Sequence, residues 1–223
     1  MSMQNITFPA TSSSGTVSAL LLRPEGARAL LVFAHGAGAG LRSDFMEHMS
    51  QELGDIGIAT LRFNFPYMER GSKSPDPRPV LAATVQSAVA AASVAAPDLP
   101  LFVGGKSLGG RMASLALLPP EARGLVFFGF PLHAPGQPST ERADHLADVS
   151  LPMLFLQGTR DSFTELDLLR PILTKLGNRA ALHIVEGAEH SFHMLKSSGR
   201  TDAEILKELA RVTADWIEKI VKS

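Results

Sequence analysis

Three side chains in this sequence have the types and the order needed to move an acyl group: Ser107, Asp161 and His190. A serine hydroxyl is a weak nucleophile until a base takes its proton, and the base needs a third group to orient it. Ser107 lies in Gly105-Lys106-Ser107-Leu108-Gly109, the G-x-S-x-G spacing of a nucleophile elbow. In such an elbow the serine backbone is strained so that the hydroxyl projects from a sharp turn. Side chains two residues before and two after would collide there, and glycines at both positions leave the space. The apolar run 101–103 precedes the turn. Met112, Ala113, Leu115, Ala116 and Leu118 follow it at helical spacing, closed by Pro119 and Pro120. The order is strand, turn, helix, and the N-terminus of that helix favours negative charge at the turn.

The base and the acid are expected at the ends of later strands. Asp161 follows the apolar run 152–157, and His190 follows the run 180–185. Taken singly, Asp161 also reads as a helix cap and His190 as a loop histidine. Ser107, Asp161 and His190 in that chain order, each past a strand, make the pattern of a proton relay. His193 is a rival base three residues on, with no strand end to hold it. A metal reading of His190 and His193 fails, because two histidines without a third ligand nearby make a poor site. No metal and no cofactor is expected. Negative charge on a tetrahedral intermediate needs fixed donors. The backbone N–H of Leu108 is one candidate, and that of Ala37, in the loop 35–40 past the strand 29–34, is the other.

Two rival motifs fail on single residues. Gly105-Lys106-Ser107 would end a P-loop only with glycine at position 100, where the chain has Pro100. The glycines at 36, 38 and 40 would suit a dinucleotide loop only with glycine at position 41, which is Leu41, and no acid ends the strand 58–65. Composition narrows the classes further. The 223 residues suffice for one well-cored domain, 1–223, and the net charge of −1 gives no electrostatic case for nucleic acid or an anionic membrane. There is no cysteine, so disulfides and a thiol nucleophile are excluded. No apolar run approaches membrane-spanning length and residues 1–5 lack an apolar signal core. A soluble, cytoplasmic protein is expected.

The remaining pattern predicts the elements that must position these groups. Strands are expected over 6–8, 16–22, 29–34, 58–65, 101–103, 124–130, 152–157 and 180–185. Helices are expected over 43–53, 80–96, 112–118 and 165–176, with a short helical piece over 141–147 and a loop over 66–79. A final helix opens on a capping box, Thr201-x-x-Glu204, and carries the stripe Ile205, Leu209, Val212, Trp216, Ile217 and Ile220. Alternating strands and helices predict an α/β fold, a mostly parallel central sheet with helices on both faces. Ligands of such sheets bind past the C-terminal strand ends.

Four stretches carry a family resemblance: Phe63-Asn-Phe-Pro-Tyr-Met-Glu69, Gly105-Lys-Ser-Leu-Gly-Gly-Arg-Met112, Gly129-Phe-Pro-Leu-His133 with Pro135-Gly136, and Gly158-Thr-Arg-Asp161. The chain resembles the α/β-hydrolase superfamily over nearly its whole length. Within it, the chain is similar to a small capless branch near the dienelactone-hydrolase-like and testis-expressed hydrolase-like proteins. The resemblance implies a Ser107–Asp161–His190 triad. A serine hydrolase cleaving small esters, with thioesters as a second class, is the activity expected of those three groups. True dienelactone hydrolases use a cysteine nucleophile, which this chain lacks. His133 and Tyr67 are expected to line the substrate pocket, and loops 66–79 and 131–137 to bound a shallow cleft without a cap. A binding or assembly module that kept the fold and lost turnover is the alternative. Protein partners, and the roles of Lys106 and Arg111 beside the nucleophile, stay open.

Overall fold

The computed structural model describes residues 1–222. A hairpin, β1 (Ser2–Thr11) and β2 (Gly15–Arg23), precedes β3 (Ala29–Ala34), α1 (Asp44–Asp55), β4 (Ile58–Phe63), the single turn α2 (Pro66–Glu69) and α3 (Arg78–Ala95). Then come β5 (Leu101–Lys106), α4 (Leu108–Leu115), β6 (Ala122–Phe128), a 3-10 segment Glu141–Asp148, β7 (Met153–Gly158), α5 (Leu166–Leu176), β8 (Ala180–Val185) and α6 (Asp202–Lys222). The strands form one sheet in the order β1-β2-β4-β3-β5-β6-β7-β8. Only the β1–β2 and β2–β4 pairs are antiparallel.

The central strands are mostly apolar because both faces are covered. Side chains alternate between the faces with period two. In β3, Leu30, Val32 and Ala34 join the layer with Leu81, Val85 and Ala88 of α3, Met112 of α4 and Leu169 of α5. Ala29, Leu31 and Phe33 point the other way, into the layer with Met46, Met49 and Leu53 of α1 and Ile205, Leu209 and Ile217 of α6. The capping box at α6 forms reciprocally: the Thr201 N–H donates to Glu204 Oε2 at 2.7 Å, and the Glu204 N–H to Thr201 Oγ1 at 3.3 Å. After β3 the chain places β4 on one side and then crosses to place β5 on the other. Ligands of open sheets bind at such a reversal of strand order, past the ends of β3 and β5.

Three expectations change. The elbow helix, whose apolar segment was expected over 112–118, starts directly at the turn and spans Leu108–Leu115, stopping three residues short because Ala116 turns to extended backbone ahead of Pro119. Strand β5 runs on through Gly104 and Gly105 to Lys106. A Cβ at Gly104 would lie 2.1 Å from the Val126 carbonyl oxygen, so glycine is what lets β5 approach β6. The stretch 66–79 is not all loop, since Pro66 opens α2 from the first-turn position where proline costs nothing and α3 begins at Arg78.

Between β6 and β7 the only helical structure is the 3-10 segment Glu141–Asp148, joined by one isolated bridge, Ala134 to Gln137. No cap layer is built there. No helix among the described residues is long and apolar enough to cross a membrane.

Candidate active site

Ser107 has φ 50° and ψ −115°, a conformation that side-chain-bearing residues rarely adopt. The glycines around it are explained by contacts with neighbouring backbone. A Cβ at Gly105 would lie 2.3 Å from the Ala34 carbonyl oxygen and 2.7 Å from the Gly109 carbonyl carbon. A Cβ at Gly109 would lie 2.3 Å from the same Ala34 oxygen and 2.6 Å from that of His35. The end of β3, the elbow and the first turn of α4 thus press together backbone to backbone.

Loops from three strand ends then converge on Ser107. His190 Nε2 lies 2.8 Å from Ser107 Oγ, and His190 Nδ1 lies 2.7 Å from Asp161 Oδ2. The Asp161 side chain is fully buried. Its Oδ1 accepts from the Phe163 N–H at 2.8 Å, and Oδ2 also accepts from the Gln157 side-chain amide. These donors fix the carboxylate so that it faces Nδ1. That makes Nδ1 the protonated nitrogen and leaves the Nε2 lone pair toward the serine hydroxyl. Phe163 packs its ring on the imidazole at 4.2 Å between centroids. Close approach of the acid and base loops again needs glycine: a Cβ at Gly158 would meet the Ala188 carbonyl oxygen at 2.3 Å.

His193 points elsewhere. Its Nδ1 pairs with Asp202 Oδ2 at 2.6 Å on the exposed start of α6. Among the described residues no cluster of three or more histidine, aspartate or glutamate side chains could hold a metal.

The loop after β3 is anchored by groups that sequence reasoning did not single out. The His35 ring is fully buried, accepts from the Phe65 N–H at Nε2 (3.1 Å) and donates from Nδ1 to the Gly36 carbonyl (2.7 Å). Burial lowers its pKa to about 4, so it stays neutral and keeps both bonds. Gly36 lies against the elbow, and its absent Cβ would be 3.8 Å from Ser107 Cβ. The Ala39 and Gly38 N–H groups are taken by the Gly36 carbonyl and the Tyr67 hydroxyl. The N–H of Ala37 has no partner among the described residues. The N–H of Leu108, at the first position of α4, has no intrahelical acceptor. Both are therefore donors without an acceptor among the described residues.

His35 also predicts an acid response. In the unfolded chain it takes a proton below its ordinary pKa of 6.5, and in the folded protein only below about 4. Between those values protonation favours unfolding, so its contribution is intact above pH 6.5 and falls by about 3 kcal/mol by pH 4. His35→Gln should lose less urea stability than the wild type between pH 7 and pH 4.5. Equal losses would contradict this assignment.

Two expected pocket residues are corrected. Tyr67 has no exposed surface, and its hydroxyl accepts from the Gly38 N–H at 3.0 Å. It holds the loop rather than facing a ligand. His133 is 2% exposed and donates from Nδ1 to the Ala134 carbonyl at 2.9 Å. Its backbone N–H bonds the Phe163 carbonyl, so it braces the loop behind the imidazole instead of lining an open cleft. Arg111 is buried, and its Nε donates to the Arg142 carbonyl at 3.4 Å, tying α4 to the 3-10 segment. Burial, then the neighbouring Arg78 and Arg142, lower its pKa to about 10, so it remains charged at neutral pH. A groove of about 660 Å³ lies at the N-terminal ends of β5 and β6, between residues 96–101 and 120–123, at the opposite ends of the strands from these groups. The site itself is open: Ser107 and Leu108 are part-exposed and Ala37 is exposed.

Comparison with known proteins agrees with this architecture. A putative phosphoribosyl transferase of Mycobacterium tuberculosis is 28% identical over 207 residues, covering 90% of this chain. This chain spans only 43% of that relative's length. A dienelactone hydrolase from Anabaena variabilis superposes with a TM-score of 0.75 at 20% identity, over 98% of this chain and 99% of that one. An α/β serine hydrolase without a lid from Xanthomonas campestris gives 0.74 at 18% identity, over 97% and 95%. These structural likenesses show the fold. A family model described as an alpha/beta hydrolase domain matches residues 27–218, most of the chain. The chain therefore belongs to the alpha/beta hydrolase family, with no cap layer between β6 and β7.

Proposed function

We propose that this protein is a serine hydrolase of small esters, with thioesters as a second substrate class. The observation that carries the reading is the continuous relay from Ser107 Oγ through both His190 nitrogens to Asp161. As Ser107 Oγ bonds to the acyl carbon, its proton passes to His190 Nε2. The carbonyl electron pair moves to oxygen, and the N–H groups of Ala37 and Leu108 hold the resulting charge. Asp161 keeps the imidazole oriented and stabilises it while charged. When the pair on oxygen returns, the ester C–O bond breaks and the alkoxide leaves with the proton from Nε2. Water then attacks the acyl-serine, giving its proton to Nε2, and collapse releases the acid as that proton returns to Ser107.

The alternative, a binding module without turnover, gains nothing from a strained serine held 2.8 Å from an oriented base. Phosphoribosyl transfer is not carried over from the mycobacterial relative, of which this chain covers less than half.

The capless site predicts a substrate size. A methylene adds about 0.8 kcal/mol, or about fourfold in kcat/KM, only where it is buried. With no cap over the part-exposed Ser107, long acyl chains stay in water. A p-nitrophenyl ester series from acetate to palmitate should show the highest kcat/KM among the short acyl groups. A value that kept rising beyond octanoate would contradict a shallow cleft. Absence of turnover on every member, with no acyl-enzyme burst, would favour the binding module.

A further inference from the structure

Lys106 is an ionisable group directly beside the nucleophile that the relay leaves unused. It is 8% exposed, although a lysine is rarely buried without a carboxylate partner. Its Nζ donates to the His190 backbone carbonyl at 2.5 Å, across 84 residues of sequence. No carboxylate among the described residues lies within ion-pair distance of it. The remaining surroundings are aromatic. Nζ lies 5.4 Å from the Phe192 ring centroid and 5.8 Å from that of Phe45, and those two rings stack at 6.0 Å. Phe192 itself has φ +65°, a strained position two residues past the base. Gly129 makes room for the contact: a Cβ there would meet Nζ at 3.0 Å and both His190 Nδ1 and the His190 carbonyl oxygen at 3.4 Å.

We propose that Lys106 is the positioning residue of the base: its buried ammonium clamps the His190 main chain and so holds the imidazole on Ser107. This inference rests on the hydrolase reading of the site. A burial cost without an ion pair needs a return, and the His190 loop is the element that receives it. The loop follows β8 through Gly187, which has φ +78°, and Ser191 and His193 within it are exposed. The aromatic rings add cation–π attraction in a dry setting. They also leave the ammonium a single strong acceptor, so its direction is defined.

The charge state matters to the test. Burial lowers the Lys106 pKa to about 8, opposed by the charges of Asp161 and Glu189. Those two carboxylates and the His190 ring are the titratable groups facing it. Below about pH 8 Lys106 is charged in both folded and unfolded chains, and the folded protein bears the full burial cost. Between about 8 and 10.5 the folded form releases its proton first, and that cost fades as pH rises. Turnover should accordingly fall above about pH 8 as the clamp loses its charge.

The decisive variant is Lys106→Met, which keeps the length and apolar packing. Its kcat should fall by on the order of 100-fold with KM within about twofold, because misplacing a base by a fraction of an ångström acts on the chemical step. Fluorophosphonate labelling of Ser107 should slow in parallel, and the fall in rate above pH 8 should vanish. The melting temperature at pH 7 should hold or rise, since an apolar group replaces a buried charge. Wild-type kcat and labelling rate in this variant, or loss of activity matched by loss of stability with the alkaline fall retained, would overturn the proposal. A wild-type Ser107 that takes no label overturns the hydrolase reading and this inference together. Label on the wild type with no slowing in the variant overturns the inference alone.

Should Lys106→Met not fold, the absence of native cysteine offers a second route. K106C can be alkylated in denaturant with bromoethylamine or with bromopropane and refolded side by side. The aminoethyl product restores an ammonium at nearly the lysine position, and the propyl product fills the same space without charge. Recovery of kcat by the first but not the second, per folded molecule, is the expected result. Equal activity in the two would overturn the proposal.

Discussion

His190→Ala is expected to lower kcat toward p-nitrophenyl acetate by about a thousandfold or more, while His193→Ala leaves it within about threefold. The two histidines differ by three residues in sequence and entirely in surroundings. His190 is held between Ser107 Oγ and Asp161 Oδ2, under Phe163. His193 is exposed and paired with Asp202 at the start of α6. Ser107→Ala should cost as much as His190→Ala, and the double variant little more, because a relay fails as a unit. Steady-state rates on the wild type and the four variants check this. A larger loss at His193 than at His190 would mean that the loop after β8 sits in another register.

Gly109→Ala is expected to destabilise the protein by about 3 kcal/mol. Helix propensity alone predicts the opposite sign, since alanine is better than glycine inside a helix by about 1 kcal/mol. The close contact decides. The new methyl would sit 2.3 Å from the Ala34 carbonyl oxygen and 2.6 Å from that of His35, both backbone atoms in a packed sheet edge. Relief requires moving the loop that carries Ala37 away from the elbow, so activity should fall by more than the stability loss accounts for. Urea midpoints of the wild type and Gly109→Ala test the claim. A variant as stable as the wild type would contradict the backbone packing described for the elbow.

These positions also show what the sequence could reveal. Central strands such as 29–34 and 101–103 were legible because burial on two faces leaves a run of apolar residues. The elbow was legible because backbone contact forces glycine at fixed offsets from Ser107, and glycine is visible in a sequence. The end of α4 was not, since Ala116 and Leu118 continue the helical spacing past Leu115, where the helix stops. Lys106 was left open because its partner is a backbone carbonyl 84 residues away, and a carbonyl has no sequence signature. Gln157, which holds Asp161, sat inside an apparent apolar strand, where its amide read as a strand end. Tyr67 and His133 were misread for the converse reason. Polar tips near strand ends suggest a pocket wall, but each reaches a backbone group that the sequence does not expose, the Gly38 N–H and the Ala134 carbonyl.

The central claim is that Ser107 is a nucleophile activated by His190. The most direct measurement is treatment of the purified protein with a fluorophosphonate, followed by peptide mapping by mass spectrometry. The reagent reacts with a serine whose proton a base can take, and Ser107 alone among the described residues combines a strained elbow with an imidazole at 2.8 Å. A single adduct on Ser107, lost in His190→Ala, is the predicted result. An adduct on Ser162 or Ser191 with Ser107 untouched, or no adduct at all, would contradict it.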